Sequence, residues 1–271
     1  MDVSGAVAVV TGGAGGIGRA IAAQLIDRGA YVMLADVADT VSVVASELGC
    51  RAWQGDCASE DGITELLDRT RAELGEIDLY VANAGIAGAR GLGESDVDWD
   101  AILDINLRAH IRAAQALIPT WQARGAGCFV STASAAGLLT QIGQAGYAVS
   151  KHAALAFAEW LSITYGDDGI QVACLCPMGV RTELLMAGLT SDIPAERVAS
   201  RSVAESGEVL SPEYVATCVM DAIHDGTFLI LPHPEVAEMF QMKGSDYDRW
   251  LRGMRRYQGW LKAEARTHDN T

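Results

Sequence analysis

The chain has 271 residues, half of them hydrophobic, with six cysteines, a formal charge of −15 and a pI near 4.6. So large an excess of acid argues against a nucleic-acid partner, because that binding is driven mainly by Lys and Arg neutralising phosphates. No apolar run reaches membrane-spanning length and no basic segment precedes an apolar stretch at the start, so a cytoplasmic protein with a sizeable core is expected.

The first strand-like run, AVAVVT (6–11), leads directly into TGGAGGIG (11–18) and a helix-like stretch over 17–28. Absent side chains let a chain turn sharply and let a pyrophosphate approach the backbone, while the helix start offers unpaired N–H groups. The segment fits GxGxxG at Gly13, Gly15 and Gly18, and also TGxxxGxG at Thr11, Gly12, Gly16 and Gly18. Both fits lie in the strand–turn–helix context that a dinucleotide site needs. The second run, AYVMLAD (30–36), ends on Asp36, near the interval at which an acid accepts hydrogen bonds from an adenosine ribose and repels a 2′-phosphate. Neither Gly15 nor Val37 supplies a cation for such a phosphate, so NAD is favoured over NADP. Taken alone, Asp36 could equally be a strand-end turn or a helix cap.

Further runs follow at RAWQGD (51–56), LYVANAG (79–85), GCFVSTAS (127–134), IQVACLCP (170–177) and TFLILP (227–232). Between them, 59–74, 98–123 and 144–166 carry helix-like apolar spacing. This alternation predicts parallel strands joined by crossover helices, a doubly wound α/β sheet, in one domain over 1–271. Two stretches break the rhythm: 182–210, placed after the sixth strand where it could cover a substrate, and a tail over 234–271. Cys174 and Cys176 point one way along their strand, and no CxxC or zinc-type spacing occurs, so the cysteines are expected to be reduced core thiols. The histidines have no metal-type spacing and HExxH is absent; no metal is required.

Tyr147 and Lys151 stand four residues apart at the start of a predicted helix. At that spacing two side chains share one face and can share one ligand. In isolation, packing of the ring and solvation of the amine are the commoner explanation of such a pair. In order along the chain, TGGAGGIG, ANAG (82–85), Asn106, Ser134 and YAVSK (147–151) resemble the short-chain dehydrogenase/reductase family from about residue 5 to residue 232. The resemblance implies a Rossmann-type, mostly seven-stranded parallel sheet with helices on both faces. It implies a catalytic tetrad of Asn106, Ser134, Tyr147 and Lys151. It assigns cofactor contacts to Thr11, Gly12, Gly16, Ile17, Gly18 and Asp36, and an adenine contact to Asp56, with Cys57 supplying only the next backbone group. Asn83, Ala84 and Gly85 would support the sheet and line the cofactor. Pro177, Gly179, Val180 and Thr182 would hold the nicotinamide end, and Lys151 would bond its ribose beside Tyr147.

The chemistry fits these residue types. A base must take the hydroxyl proton as hydride leaves the carbinol carbon. An unperturbed phenol, with a pKa of about 10, is a poor base at neutral pH. A neighbouring ammonium would lower that value, which gives Lys151 a purpose. Ser134 would bond the substrate oxygen, and Asn106 would hold a water that relays protons from the lysine. His152 would point away from the active face.

Two features depart from the family pattern. Met178 stands where Gly is usual, either crowding the cofactor, lining the substrate pocket or simply packing. The last strand runs into HPEV rather than Asp-Gly-Gly, which weakens a fatty-acid-synthesis assignment. The tail carries Trp250, Met254, Arg255, Arg256, Tyr257 and Trp260 at helix-like spacing. It is expected to pack at a subunit contact or substrate pocket rather than on a membrane. The expected protein is an NAD-dependent homodimer or homotetramer that interconverts an apolar secondary alcohol and its ketone. A ketoacyl or quinone-type reductase, and a catalytically weak nucleotide-sensing or scaffold protein, are the alternatives.

Overall fold

A computed structural model describes residues 1–93 and 95–268; the last three residues of the tail named above lie outside the described residues. Seven strands form one sheet: β1 (Val7–Thr11), β2 (Tyr31–Asp36), β3 (Arg51–Gln54), β4 (Leu79–Ala82), β5 (Gly127–Thr132), β6 (Ile170–Leu175) and β7 (Leu229–Ile230). All neighbours are parallel, in the order β3-β2-β1-β4-β5-β6-β7. Every residue of β1 and β4 is buried, as expected of strands covered on both faces, which read as near-continuous apolar runs. The order reverses direction between β1 and β4, and in such sheets ligands bind outside the carboxyl ends at that switch point.

The connections are helical: α1 (Gly16–Asp27), α2 (Val41–Leu48), α3 (Glu60–Leu74), α4 (Asp96–Leu103), α5 (Ala109–Arg124), α6 (Ala135–Leu138), α7 (Ala145–Tyr165), α8 (Glu183–Leu189), α9 (Pro194–Ala204), α10 (Pro212–Asp225), α11 (Glu235–Ser245) and α12 (Tyr247–His268). Their starts follow local chemistry. Ser59 caps α3 by accepting from Gly62 N–H, with Glu60 and Asp61 in the first turn. Ser211 caps α10 ahead of Pro212. Both arrangements satisfy otherwise unpaired N–H groups and complement the helix dipole.

Each face of the sheet has its own core. Tyr80, Phe129, Trp121 and Leu155 pack on one side, and Leu34, Ile21, Leu25 and Val219 on the other. The six cysteines are free, and Cys174 Sγ lies 4.0 Å from Cys176 Sγ in the buried sheet. Among the described residues no helix is long and apolar enough to cross a membrane.

The structure corrects one expected element. The single helix foreseen over 98–123 is instead α4 and α5 joined by a π-helical turn over Asp104–Arg108, a geometry frequent at functional sites. The stretches that broke the strand–helix rhythm are helical. α12 lies against α9, with Leu261 and Ala265 buried beside Ile142 and Val198, and Met254 and Tyr257 at the edge. Tyr257 Oη donates to Ser202 O at 3.1 Å. Trp250 and Tyr247 instead flank the buried ammonium of Lys243, at 5.3 and 5.5 Å from their ring centres.

Candidate active site

A cleft of about 740 Å3 runs across the carboxyl ends of the strands, within the roughly 300–1,000 Å3 typical of cofactor and small-molecule sites. Its floor is the glycine loop. A Cβ on Gly18 would lie 2.2 Å from Gly12 O, and one on Gly12, whose φ is +66°, would lie 2.9 Å from Ala84 Cα. These glycines therefore let β1, α1 and the loop after β4 close on one another. A Cβ on Gly15 would meet nothing within 4 Å, and Gly15, Gly16 and Ile17 face the cleft. The bare backbone at the start of α1 thus fits a pyrophosphate.

Asp36 closes one end. Its Oδ2 accepts from Ala14 N–H and its Oδ1 from Ala38 N–H, each at 3.0 Å, which leaves acceptor capacity on both oxygens. Asp56 borders the same end and accepts from Ala58 N–H at 2.8 Å. Cys57 follows Asp56 after β3 and also borders the cleft. Its buried thiol lies against Gly12 N–H, and burial, aided by Asp36 and Asp56, pushes it up to about 12. It therefore stays a neutral prop under the loop.

Thr11 and Asn83 knit the loop after β4 to its neighbours. Thr11 Oγ1 accepts from Asn83 N–H at 3.0 Å and Ala84 N–H at 3.1 Å and donates to Val81 O at 3.3 Å. Asn83 Nδ2 donates to Thr11 O at 3.0 Å, while its Oδ1 accepts from Thr132 Oγ1 at 3.3 Å. Gly85 sits where a Cβ would be 3.2 Å from Asn106 Oδ1 and 3.4 Å from Lys151 Nζ, so a side chain there would press between those two groups.

Ser134, Tyr147 and Lys151 line one wall together. Ser134 follows β5 as the N-cap of α6, accepting from Ala136 N–H at 3.1 Å. Tyr147 and Lys151 rise on the same face of α7, with Nζ 5.8 Å from the ring centre. Lys151 is only 3 % exposed and donates to Thr132 O at 2.9 Å. Burial pulls its ammonium down to about 8, against the opposite pull of Cys174 and Cys176.

The expected tuning of the phenol needs correction. Burial holds Tyr147 above its ordinary value, the hydrogen bond from Ser134 opposes it and Cys176 adds to it, while Lys151 is not among the groups that move it. Lys151, itself pulled down to about 8, has lost its proton before a phenol held above 10 titrates, so it offers no positive charge at that point. Asn106 is anchored between two elements. Its side chain is fully buried and committed: Oδ1 accepts from Ile86 N–H, and Nδ2 donates to Ile86 O, each at 2.9 Å, and to Ser150 Oγ at 3.1 Å. The amide therefore ties the loop after β4 to α7; both Nδ2 protons are used, while Oδ1 keeps one acceptor site.

The far end of the cleft is formed by Pro177, Met178, Val180 and Thr182 with α8 and α9. Thr182 faces the glycine loop, 3.1 Å from where a Cβ on Gly16 would be. Gly179 packs near Val203 and Val209. The Met178 side chain borders the cleft and packs on the core, its Cε close to Gly207. His152 turns away, its Nδ1 2.8 Å from Ala148 O.

Two buried histidines carried no sequence signal, because their partners are distant in the chain. His110 Nδ1 is 3.0 Å from Ser131 Oγ, its Nε2 has no partner, and burial, then Lys151, pulls the ring down to about 3. His233 joins the loop after β6 to the end of the helical insertion. Among the described residues no three metal-ligating side chains cluster.

A family model for short chain dehydrogenase matches residues 6–191. A cis-4-hydroxycyclohexanecarboxylate dehydrogenase of Sinomonas cyclohexanicum is 34% identical over 83% of this chain and 92% of that protein. A 1-deoxy-11-beta-hydroxypentalenate dehydrogenase of Streptomyces avermitilis is 30% identical over 98% of this chain and 97% of that protein. The crystal structure of a short chain dehydrogenase/reductase from Burkholderia phymatum in complex with NAD superposes with a TM-score of 0.83 and 26% identity, covering 92% of this chain and 96% of that one. With its parallel sheet, glycine loop and clustered serine, tyrosine and lysine, this chain belongs to the short-chain dehydrogenase family of oxidoreductases.

Proposed function

We propose that the protein is an NAD-dependent dehydrogenase that interconverts an uncharged, alicyclic secondary alcohol with its ketone. The observation that carries this reading is the convergence of Ser134, Tyr147 and Lys151 on one wall of a cleft whose other end holds the glycine loop and Asp36. When bound, NAD supplies the hydride acceptor and a positive ring. Asp36 accepts hydrogen bonds from the adenosine ribose, and its charge disfavours a 2′-phosphate. Lys151, already anchored on Thr132 O, has further N–H groups to offer the nicotinamide ribose.

In the oxidation direction Tyr147 Oη takes the proton from the substrate hydroxyl, and Ser134 Oγ donates to the substrate oxygen. Burial opposes phenolate, so the base forms only as positive charge gathers beside it. Proton release from Lys151 towards solvent runs past Asn106, whose Oδ1 keeps an acceptor site for a relaying water. α8 and α9 act as the lid of a single catalytic domain.

The charge of the cleft supports the substrate class. Among the described lining residues Lys151 is the one cation, against Asp36, Asp56, Glu183 and Glu196. Gln141, Gln144, Met178, Leu184, Ala199 and Val203 surround the remaining space, so a carboxylate or phosphate on the substrate would lack a counter-charge. Two similar proteins are named for ring-borne alcohols that also carry a carboxylate; they support the alicyclic alcohol, while the uncharged character rests on the charge of the cleft alone. The outer face of α7 leaves Val149, Trp160 and Ile163 exposed, which supports a homo-oligomer.

The test is NADH formation followed by absorbance, across neutral cyclic alcohols and their carboxylated counterparts, with NAD and NADP in parallel. Neutral alcohols with NAD should be preferred, and Tyr147→Phe should abolish turnover while NAD still binds. Substantial activity of that variant, or preference for NADP, would overturn the reading.

A further inference from the structure

After β7 the chain passes through Leu231, Pro232 and His233 before α11. His233 is 2 % exposed, and both ring nitrogens are engaged with main chain. Nδ1 accepts from Met178 N–H at 3.1 Å. Nε2 faces Gly179 O at 3.2 Å and Glu208 O at 3.0 Å, two acceptors, so it carries the proton. The partners thereby fix one tautomer of a neutral imidazole.

These three main-chain groups belong to two segments that meet beside the nicotinamide end of the cleft. One is the loop after β6, from Pro177 to Thr182; the other is the end of the insertion that carries α8 and α9. They are also joined directly: Leu210 N–H donates to Gly179 O and Arg181 N–H to Leu210 O, each at 2.9 Å. Met178 presses on the same junction. A Cβ on Gly207 would lie 2.5 Å from Met178 Cε and 2.5 Å from Glu235 Oε1, so the methionine and the glycine fit as a pair.

We propose that His233 is a positioning residue for the nicotinamide end of the cofactor site. It sets the main chain at Met178–Val180 and makes that loop move with Glu208–Leu210 at the end of the insertion. This inference rests on the proposed NAD-dependent function. His233 does not itself line the cleft; it acts through the backbone, and removing it would leave a buried N–H and two carbonyls short of a partner. The adenosine half of the site, built by Asp36, Asp56 and the glycine loop, makes no contact with it.

That asymmetry defines the experiment. Equilibrium affinities for NADH and for ADP-ribose, which lacks the nicotinamide, are measured by fluorescence and competition for the wild type, His233→Phe, His233→Asn and His233→Gln. His233→Phe should weaken NADH about tenfold, the scale of one lost net hydrogen bond, and leave ADP-ribose nearly unchanged. Asn, which can accept from Met178 N–H, and Gln, which can donate to the two carbonyls, should each recover part of the loss; they keep the test open if the Phe variant fails to fold. Equal weakening of both ligands would show general loosening and overturn the proposal, as would unchanged NADH affinity in every variant. A wild type that binds neither ligand would overturn the NAD reading together with the proposal.

Discussion

Replacing Lys151 by Met should make the fold more stable while destroying its function. The ammonium falls from 10.5 to about 8 because it is buried; at about 1.4 kcal/mol per pKa unit this amounts to about 3 kcal/mol spent at neutral pH on keeping the charge inside. Met has a similar length and no charge, and its cost is the hydrogen bond to Thr132 O, about 1 kcal/mol. The net expectation at pH 7 is a variant more stable by about 2 kcal/mol.

The sign with pH follows from proton counting. The folded value lies below the unfolded one, so between about 8 and 10.5 the unfolded chain holds more protons and the wild type gains stability as pH rises. The advantage of Lys151→Met should therefore shrink across that window and vanish above it. Urea unfolding followed by tryptophan fluorescence, at pH 7 and pH 10 and one protein concentration, measures the difference, and NADH formation measures the loss of turnover. A variant less stable than the wild type at pH 7, or a difference that ignores pH, would refute the account of the buried charge.

Gly15→Ala should fold normally, because its Cβ meets open space, yet bind NAD weakly; Gly18→Ala should instead destabilise the fold, its Cβ lying 2.2 Å from Gly12 O, and thermal melts beside NADH titrations separate the two outcomes. Asp36→Asn should lower the preference for NAD over NADP in kcat/KM by about tenfold, the effect of removing one nearby like charge in a partly solvated site. His110, pulled from 6.5 to about 3, resists protonation that the unfolded chain accepts. Wild-type stability should consequently fall as pH drops below 6.5, by about 2.7 kcal/mol between 6.5 and 4.5. His110→Asn should flatten that part of the acid limb in urea titrations.

The strands were legible because both faces of a parallel sheet are covered, and runs such as VAVVT announce themselves. Their ends were less so: LYVANAG reads as one run, but pairing stops at Ala82 and Asn83–Gly85 turn away to bond Thr11. The glycine loop and Asp36 could be read from spacing because their neighbours are local, whereas the Tyr147–Lys151 pair took its meaning only from the resemblance of the whole set of motifs. Asn106 was found by its place in a pattern, but its anchoring was not legible: the π-helical turn aims the amide at Ile86 and Ser150, far away in sequence. His233 and Lys243 bond main-chain groups far away in sequence, and no periodicity encodes such partners.

The seam between α9 and α12 has a consequence for how this enzyme's substrate range can change. Leu261, Ala265 and Tyr257 help hold α9, the helix proposed above as part of the lid. Libraries randomised only at cleft-lining positions would miss this lever. Selection for bulkier alcohols should also recover substitutions in the final helix, where trimming a side chain resets the roof and leaves the reacting groups alone.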